Sequence, residues 1–236
     1  MKKLEEIANK AKNRFDFWIL FIQLKKITSI VELGVYRGEY AEKILLACGE
    51  ITKYYMIDPW RQLKDWNKPA NVDNEKFEEY FNETLRKTKF AKNKIEILRG
   101  RTQDVKNEIK NDSLDFAYID GDHTLKGISI DLVIIWDKIK SNGFIAGDDF
   151  CSNIWQHDRS FEPTLVFPFA VYFAEAKNVK IFALPFNQFL IAKGIEGFEF
   201  IDLTNGKYSD LSLLKQIEIK SDEVKLSMLS KLLNRF

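Results

Sequence analysis

Short apolar runs alternate with longer stretches of helical spacing from about residue 28 to residue 193. The short runs are rich in β-branched and aromatic residues, as buried strands are. They predict strands at Ser29–Leu33, Tyr54–Ile57, Lys94–Leu98, Leu114–Ile119, Gly143–Ala146, Lys180–Leu184 and Gln188–Ala192. The stretches between them predict helices at Glu39–Cys48, Asn74–Thr88, Thr102–Lys110, Leu125–Lys140 and Thr164–Lys177.

The order of these elements predicts the fold class. Strands that alternate with helices form right-handed crossovers and a mostly parallel sheet with helices on both faces. Only Pro185–Asn187 separates the last two strands, which is too short for a crossover, so they should form an antiparallel hairpin. We therefore expect a single α/β domain over residues 1–236, with a Rossmann-like seven-stranded sheet in a core at 27–193.

Two helical flanks adjoin this core. Residues 1–26 contain a short apolar run, Phe17–Ile22, which lacks the length to cross a bilayer and has no cleavage site after it. It predicts an amphipathic helix on the domain and no membrane contact. Residues 205–236 space Leu and Ile as a helix would, so this tail could pack on the core or on a second copy in a homo-oligomer.

Composition narrows the partners and the compartment. Lysine and arginine number 36 against 35 aspartates and glutamates, so the net charge of +1 suggests no nucleic-acid partner. Cys48 and Cys151 are the two cysteines in the sequence, too few for a disulfide framework or a thiolate zinc site. We expect a protein of the reducing cytoplasm.

The first strand ends in VELGVYRG, a loop that opens a helix. Gly34 lets the backbone turn tightly beside a ligand, and Gly38 lets the helix start close to the strand. Tight strand–helix turns also use glycine for structural reasons alone, so the pair by itself is weak evidence. Asp58 ends the second strand and offers two acceptors to the vicinal hydroxyls of a ribose.

The loop composition separates two classes of nucleotide cofactor. A dinucleotide loop usually reads GxGxxG and holds pyrophosphate on a helix N-terminus. Here Glu32 occupies the first position; its carboxylate would repel pyrophosphate but suits the ammonium of a methionine moiety. The loop favours S-adenosylmethionine. Thr102 or Gln103, after the third strand, could bond the adenine, although Thr102 could equally be a helix cap.

Acidic residues follow the fourth and fifth strands, in the segments IDGDH and GDDF. Neighbouring strand ends place Asp120, Asp148, Asp149 and His123 at one rim, where unpaired carboxylates would repel each other. A divalent ion such as Mg²⁺ relieves that repulsion, so we predict the three aspartates as metal ligands. His123 is the candidate general base for an alcohol.

Each of these residues also has a structural interpretation. Asp120 or Asp122 could cap the following helix, and Asp148 and Asp149 could be a polar loop. A lone histidine is more often structural than catalytic. These separate explanations would have to coincide at one rim, which favours the metal interpretation. Asp122 in place of Asp148 as a ligand is a variant of it.

At these residues the chain resembles class I methyltransferases, and more narrowly a bacterial group related to macrocin-type sugar O-methyltransferases. The segments VELGVYRGEY, YMIDPW, LDFAYIDGDHTLKGISIDL and GFIAGDDF carry the likeness, within roughly residues 13–193. The resemblance implies S-adenosylmethionine contacts from Glu32, Gly34 and Asp58, with Gly38 supporting the turn. It also implies Mg²⁺ between Asp120, Asp148 and Asp149, with His123 as the base. Asp120 ends the strand beside the cofactor and counts among its expected contacts.

The acceptor is the least determined feature. Aromatic residues that could stack on a sugar or anchor their loops follow the same strand ends: Trp60, Trp66, Phe150, Trp155 and His157. Arg14 to Trp18 could close over the cofactor. A small molecule is expected, with a sugar or glycan hydroxyl ahead of a phenol. A nicotinamide-dependent oxidoreductase and a non-catalytic binding protein on the same scaffold are the alternatives.

Overall fold

The structure is a computed structural model that describes residues 2–208. Its helices are α1 (Lys2–Lys10), α2 (Arg14–Lys25), α3 (Glu39–Ala47), α4 (Asn74–Thr88), α5 (Thr102–Val105), α6 (Leu125–Lys138) and α7 (Val166–Ala176). Its strands are β1 (Ser29–Leu33), β2 (Lys53–Asp58), β3 (Ile95–Arg99), β4 (Leu114–Ile119), β5 (Ile139–Gly147), β6 (Val179–Leu184), β7 (Gln188–Glu196) and β8 (Glu199–Asp202). Short 3₁₀ turns occur at Lys89–Ala91 and Pro185–Asn187.

The eight strands form one sheet in the order β3-β2-β1-β4-β5-β7-β6-β8. Only β7 runs against its neighbours, pairing antiparallel with both β5 and β6. The α/β fold and the C-terminal hairpin are therefore confirmed. The sheet has eight strands rather than the expected seven, because β8 adds to the edge of β6 in parallel, with Lys180 opposite Glu199.

Helices cover both faces of the sheet, as the alternation of elements predicted. Successive residues of β1 point to opposite sides, so Ile30 joins one apolar cluster and Val31 the other. Helices α1 to α3 pack on the first face, where Trp18 and Phe116 meet with ring centroids 5.5 Å apart. Helices α6 and α7 pack on the second face.

Several element ends differ from the sequence expectation. The helix expected at Thr102–Lys110 ends at Val105, and the buried Ile109 packs against the sheet from a turn. Strand β5 starts at Ile139 rather than Gly143, because α6 passes directly into it. Residues 205–208 form a turn instead of starting a helix, and the remainder of the expected C-terminal helix lies outside the described residues.

The sheet order reverses beside β1, which has β2 on one side and β4 on the other. Open parallel sheets bind ligands at the carboxyl ends of the strands that flank such a point. Those ends carry the residues that the sequence singled out. Among residues 2–208 no helix combines the length and apolar character needed to cross a bilayer.

Candidate active site

A cleft of about 850 Å³ opens at the carboxyl ends of β1, β2 and β4. Its volume falls within the ~300–1,000 Å³ typical of small-molecule sites. Its lining includes Arg14, Glu32, Gly34, Asp58, Thr102, Asp120 and His123. Gly38, Asp148 and Asp149 are not among the residues that line it.

The glycines of the first loop have different structural roles. Gly34 has φ +81°, and a β-carbon built on it would lie 2.0 Å from the carbonyl oxygen of Asp120. A side chain there would push β1 away from β4 at the floor of the cleft. Gly38 has φ +70°, and a β-carbon built on it would lie 2.9 Å from the side chain of Thr84 on α4. Gly34 therefore shapes the cleft, whereas Gly38 seats α3 against α4.

Glu32 is a buried carboxyl at the floor of the cleft. The hydroxyl of Tyr54 donates to its Oε2 over 2.7 Å. Burial raises the pKa of Glu32 well above its usual value, and the nearby charges of Asp120 and Asp58 add to the rise. A carboxyl so placed gains from a ligand that brings positive charge into the cleft.

The Asp58 carboxyl accepts hydrogen bonds from backbone N–H groups of the loops after β1 and β2. Its Oδ2 accepts from the backbone N–H of Tyr36 over 2.9 Å, and its Oδ1 from that of Trp60 over 2.7 Å. Burial nevertheless raises the pKa of the Asp58 carboxyl. The backbone N–H of Val35 also bonds this carboxyl. Since a carboxylate can accept about four hydrogen bonds, Asp58 remains able to accept from a ligand hydroxyl.

Thr102 begins α5 at one side of the cleft and is buried. Its side chain hydrogen-bonds Asp131, a buried residue of α6 that also lines the cleft. Burial raises the pKa of Asp131 to about 7. We did not predict Asp131 as a site residue. The signal in the sequence was an acidic residue within the apolar segment of Ile130, Leu132 and Val133.

Asp120, His123 and Asp149 meet at the rim, with ligand atoms within 4.8 Å of one another. The Nδ1 atom of His123 lies 2.6 Å from Oδ2 of Asp149. The Nε2 atom lies 3.5 Å from Oδ1 of Asp120, is buried and has no hydrogen-bond partner among residues 2–208. Two carboxylates beside an unpartnered imidazole nitrogen fit the ligand chemistry of a divalent cation.

The electrostatics of this group depend on the two carboxylates. Burial disfavours the charged imidazolium, but the flanking carboxylates outweigh it and raise the pKa of His123 to about 10. Burial likewise opposes charge on Asp149, yet the hydrogen bond to His123 lowers the pKa of that carboxyl to about 2. Asp149 also has φ 56°, a left-handed conformation that residues other than glycine seldom adopt.

Asp148 lies at the same rim but has other partners. Its Oδ2 forms an ion pair with Nη1 of Arg14, and its Oδ1 accepts from Nε2 of Gln188 over 2.5 Å. The same guanidinium lies 3.3 Å from Oδ2 of Asp120. The structure therefore brings Asp120 and Asp149 together around His123, while the carboxylate of Asp148 is bound to Arg14.

Asp122 is not in the Asp120, His123 and Asp149 group either. Its Oδ1 accepts from the backbone N–H of Thr124 over 3.0 Å and from Nε1 of Trp66 over 3.1 Å. Thr124 caps α6 by accepting from the N–H of Gly127. Asp122 thus fastens the turn that leads into α6 and ties Trp66 to it.

The aromatic residues of the strand-end loops divide into two groups. Trp60 and Phe150 are 1% and 0% exposed, so they are anchors of the core. Trp66 and His157 line the cleft. The loops that carry them are bonded to each other, since Nζ of the buried Lys68 donates to the carbonyl of Glu162 over 2.7 Å. Neither Lys68 nor Gln188 stood out in the sequence.

Known proteins agree with this architecture. A family model described as a methyltransferase domain matches residues 31–150, just over half of the chain. None of the curated proteins matches the sequence. The solved structures that resemble it share 15% identity or less in the three cases given below, so each indicates a common fold.

A candidate caffeoyl-CoA O-methyltransferase from Staphylococcus aureus superposes with a TM-score of 0.58 and 14% identity, covering 81% of this chain and 91% of that one. An O-methyltransferase from Bacillus cereus in complex with S-adenosylhomocysteine superposes with a TM-score of 0.53 and 15% identity, covering 81% of this chain and 90% of that one. A methyltransferase from Podospora anserina bound to the same ligand superposes with a TM-score of 0.52 and 14% identity, covering 81% of this chain and 86% of that one. The family match, on a Rossmann-like sheet whose cleft lies where that fold binds its ligands, shows that the chain belongs to the class I S-adenosylmethionine-dependent methyltransferases.

Proposed function

We propose that the protein is a metal-assisted O-methyltransferase that acts on a hydroxyl of a small molecule, with a sugar or glycan as the leading acceptor class. The main support for this proposal is that Asp120 and His123 belong to the candidate metal group and also line the cleft. The fold shared with the Bacillus cereus O-methyltransferase supports the reaction class. The IDGDH and GDD segments resemble those of macrocin-type sugar O-methyltransferases, which favours a sugar as the methyl acceptor.

The cleft supplies the contacts that S-adenosylmethionine needs. The Glu32 carboxyl meets the ammonium of the methionine moiety, and the free lone pairs of Asp58 accept from the ribose hydroxyls. Gly34 lets the backbone approach the ligand without a side chain in between. Thr102 lies on the adenine side. A cofactor held by these residues would lie in the same cleft as Asp120, so its methyl group could reach an acceptor at the rim.

The rim supplies the chemistry at the acceptor. Asp120 and Asp149 are the carboxylates that would hold a divalent cation such as Mg²⁺, which when bound makes a hydroxyl easier to deprotonate. Asp149 holds the imidazole of His123 through Nδ1. The carboxylates of Asp120 and Asp149 raise the pKa of His123, and a cation held by them would offset that negative charge and lower this pKa, which would leave Nε2 able to take the proton. The two bound molecules then need in-line positioning, which the cleft walls provide.

The reaction balances with these groups alone. The methyl carbon forms a new bond to the acceptor oxygen as its bond to the sulfonium sulfur breaks. The electron pair of the broken bond stays on sulfur, which gives neutral S-adenosylhomocysteine. The hydroxyl proton passes to His123 and then to solvent.

The proposal is tested by release of S-adenosylhomocysteine from mixtures of the enzyme, S-adenosylmethionine and a panel of sugars and catechols, with Mg²⁺ or with a chelator. We expect turnover on at least one sugar, its loss with chelator, and its loss in Asp149→Asn. The exposed Asp137 provides the control variant, Asp137→Asn, which should behave as wild type. Turnover that survives both chelation and Asp149→Asn would contradict the metal site.

A further inference from the structure

Gln188 is the first residue of β7, and its side chain is buried next to Asp148. This side chain makes four hydrogen bonds. Its Oε1 accepts from Nε1 of Trp18 and from the hydroxyl of Tyr118, each over 2.8 Å. Its Nε2 donates to Oδ1 of Asp148 over 2.5 Å and to the carbonyl oxygen of Phe186 over 2.9 Å. An amide has two hydrogens to donate and two lone pairs that accept, so all four are used.

These partners determine which way the amide of Gln188 points. An indole nitrogen can only donate, so the atom that faces Trp18 is the oxygen. A backbone carbonyl can only accept, so the atom that faces Phe186 is the nitrogen. The reversed amide would leave buried polar groups unpaired at both ends, which is costly. Gln188 therefore directs an N–H group at Asp148 in a single orientation.

The amide holds one oxygen of Asp148 and leaves the other at the rim. The Oδ2 atom of Asp148 pairs with Nη1 of Arg14, and this nitrogen lies 3.3 Å from Oδ2 of Asp120. A positive charge thus lies between the two carboxylates, as a divalent cation bound by both would. The Arg14 side chain is 31% exposed, so it can turn outward and leave Oδ2 to an ion. The amide is neutral, so it fixes Asp148 without cancelling the negative charge that attracts the ion.

Asp149 accepts from an amide in the same way, but its partner is exposed. The Oδ1 atom of Asp149 accepts from Nε2 of Gln156, whose Oε1 accepts from the hydroxyl of Thr164 over 2.9 Å. Gln156 lies exposed in a loop, whereas Gln188 is buried with both ends of its amide bonded. Of these two glutamines, Gln188 is the one that its surroundings hold in one orientation.

We propose that Gln188 is a positioning residue that orients Asp148 toward a divalent cation at the rim. The inference rests on the metal site of the proposed function and extends it. Asp148 supplies its Oδ2 beside Asp120 and Asp149, and Trp18 on α2 supports this arrangement through Gln188. Removing a hydrogen-bond partner of a metal-binding carboxylate typically costs about 10–100-fold in metal affinity or activity.

The experiment is a titration of the full-length protein with Mn²⁺, a probe for Mg²⁺ sites, followed by electron paramagnetic resonance of the free ion. The wild type is compared with Gln188→Met, Asp148→Asn and the double variant. We expect each single variant to bind Mn²⁺ about tenfold or more weakly than wild type. The double variant should bind within about threefold of Asp148→Asn, because Gln188 then has no ligand left to orient.

Two measurements separate a positioning role from a general loss of structure. Thermal unfolding establishes that each variant is folded, and calorimetry measures its affinity for S-adenosylhomocysteine. That affinity should stay within about threefold of wild type in every variant, because neither Gln188 nor Asp148 lines the cleft. Gln188→Asn, which keeps an amide on a side chain one methylene shorter, replaces Gln188→Met in the comparison if that variant is unfolded.

Gln23→Met is the matched control. Gln23 is an exposed glutamine of α2 whose Nε2 donates to the carbonyl oxygen of Ala47 over 2.9 Å. Its replacement removes an amide of the same size away from the rim. The Mn²⁺ affinity of Gln23→Met should therefore match wild type.

The outcomes distinguish this inference from the metal site itself. If the Gln188 variant or Asp148→Asn binds Mn²⁺ as tightly as wild type, the inference is overturned and the site of Asp120 and Asp149 stands. If replacing Gln188 weakens binding by the same factor in the Asp148→Asn background, it does not act through Asp148 and the inference is again overturned. If the wild type does not bind Mn²⁺, the metal site and the inference both fail, while binding of S-adenosylhomocysteine would still support the cofactor cleft.

Discussion

The Nδ1 atom of His123 lies 2.6 Å from Oδ2 of Asp149, and this contact determines which ring nitrogen is available for chemistry. Asp149 accepts the Nδ1 hydrogen, so the buried Nε2 is the nitrogen that would take a proton once a bound cation offsets the charge of the two carboxylates. Asp149, which makes this contact, has φ 56°, a left-handed backbone conformation that residues other than glycine seldom adopt. A histidine held in this way suits proton transfer from a hydroxyl.

His123→Ala removes the proposed proton acceptor. We expect turnover to fall by about 10²–10⁴-fold, the usual contribution of a general base. Affinity for S-adenosylhomocysteine should stay within about threefold of wild type, because His123 is not one of the proposed cofactor contacts. Mn²⁺ affinity separates the two roles open to an imidazole at this rim. An unchanged value supports the base, whereas a loss of tenfold or more identifies His123 as a metal ligand.

Glu32→Gln tests the acid at the floor of the cleft. Glutamine has nearly the same shape but cannot carry the charge that meets an ammonium group, and a charge-assisted hydrogen bond is worth about 1.5–3 kcal/mol. We expect cofactor affinity to fall by about tenfold or more, measured by calorimetry. Glu96→Gln is the control, since Glu96 lies on β3, where it pairs with Lys53 of β2, and does not line the cleft. Equal affinities in the two variants would remove Glu32 from the cofactor site.

Gly34→Ala should destabilise the fold and impair cofactor binding together. The new methyl group would lie 2.0 Å from the carbonyl oxygen of Asp120, on a backbone with φ +81°. We expect a loss of about 2–4 kcal/mol in the free energy of unfolding, measured with urea. Gly49→Ala is the matched control, because a β-carbon at Gly49 meets nothing within 4 Å. A Gly34→Ala variant as stable as Gly49→Ala would contradict the close approach of Gly34, after β1, to the backbone of Asp120, after β4.

The sequence predicted the parallel core and the position of the rim more completely than the contacts within it. Strands β1 and β4 begin and end where the apolar runs do, because both faces of those strands are buried. The edge strand β8 escaped notice, since a four-residue edge strand depends on the neighbour it joins. The pairing of Arg14 with Asp148 joins residues far apart in the chain, and no periodicity encodes such a contact.

Asp131 makes the stability of the protein depend on pH. Burial raises its pKa to about 7 in the folded state, above the unfolded value near 4. The folded state therefore holds this proton more tightly, so stability is lost as the pH rises from about 4 through 7. Asp131→Asn removes that loss. We expect the stability of the variant relative to wild type to increase between pH 4 and 8, by on the order of 2–4 kcal/mol.

Urea unfolding at several pH values measures this difference. Asp137→Asn changes an exposed carboxyl on the same helix, so its stability relative to wild type should vary little over the range. An Asp131→Asn variant that follows the wild-type curve at every pH would contradict the proton on the buried carboxyl.

Calorimetric titration of the purified protein with S-adenosylhomocysteine, repeated with Mg²⁺ and with a chelator, tests most directly that the cleft between β1, β2 and β4 is a cofactor site. We expect saturable binding to one site in both conditions, because the proposed cofactor contacts Glu32, Asp58 and Thr102 line the cleft and do not belong to the candidate metal group. Absence of binding in both conditions would contradict the cofactor site and every catalytic role assigned to the rim beside it.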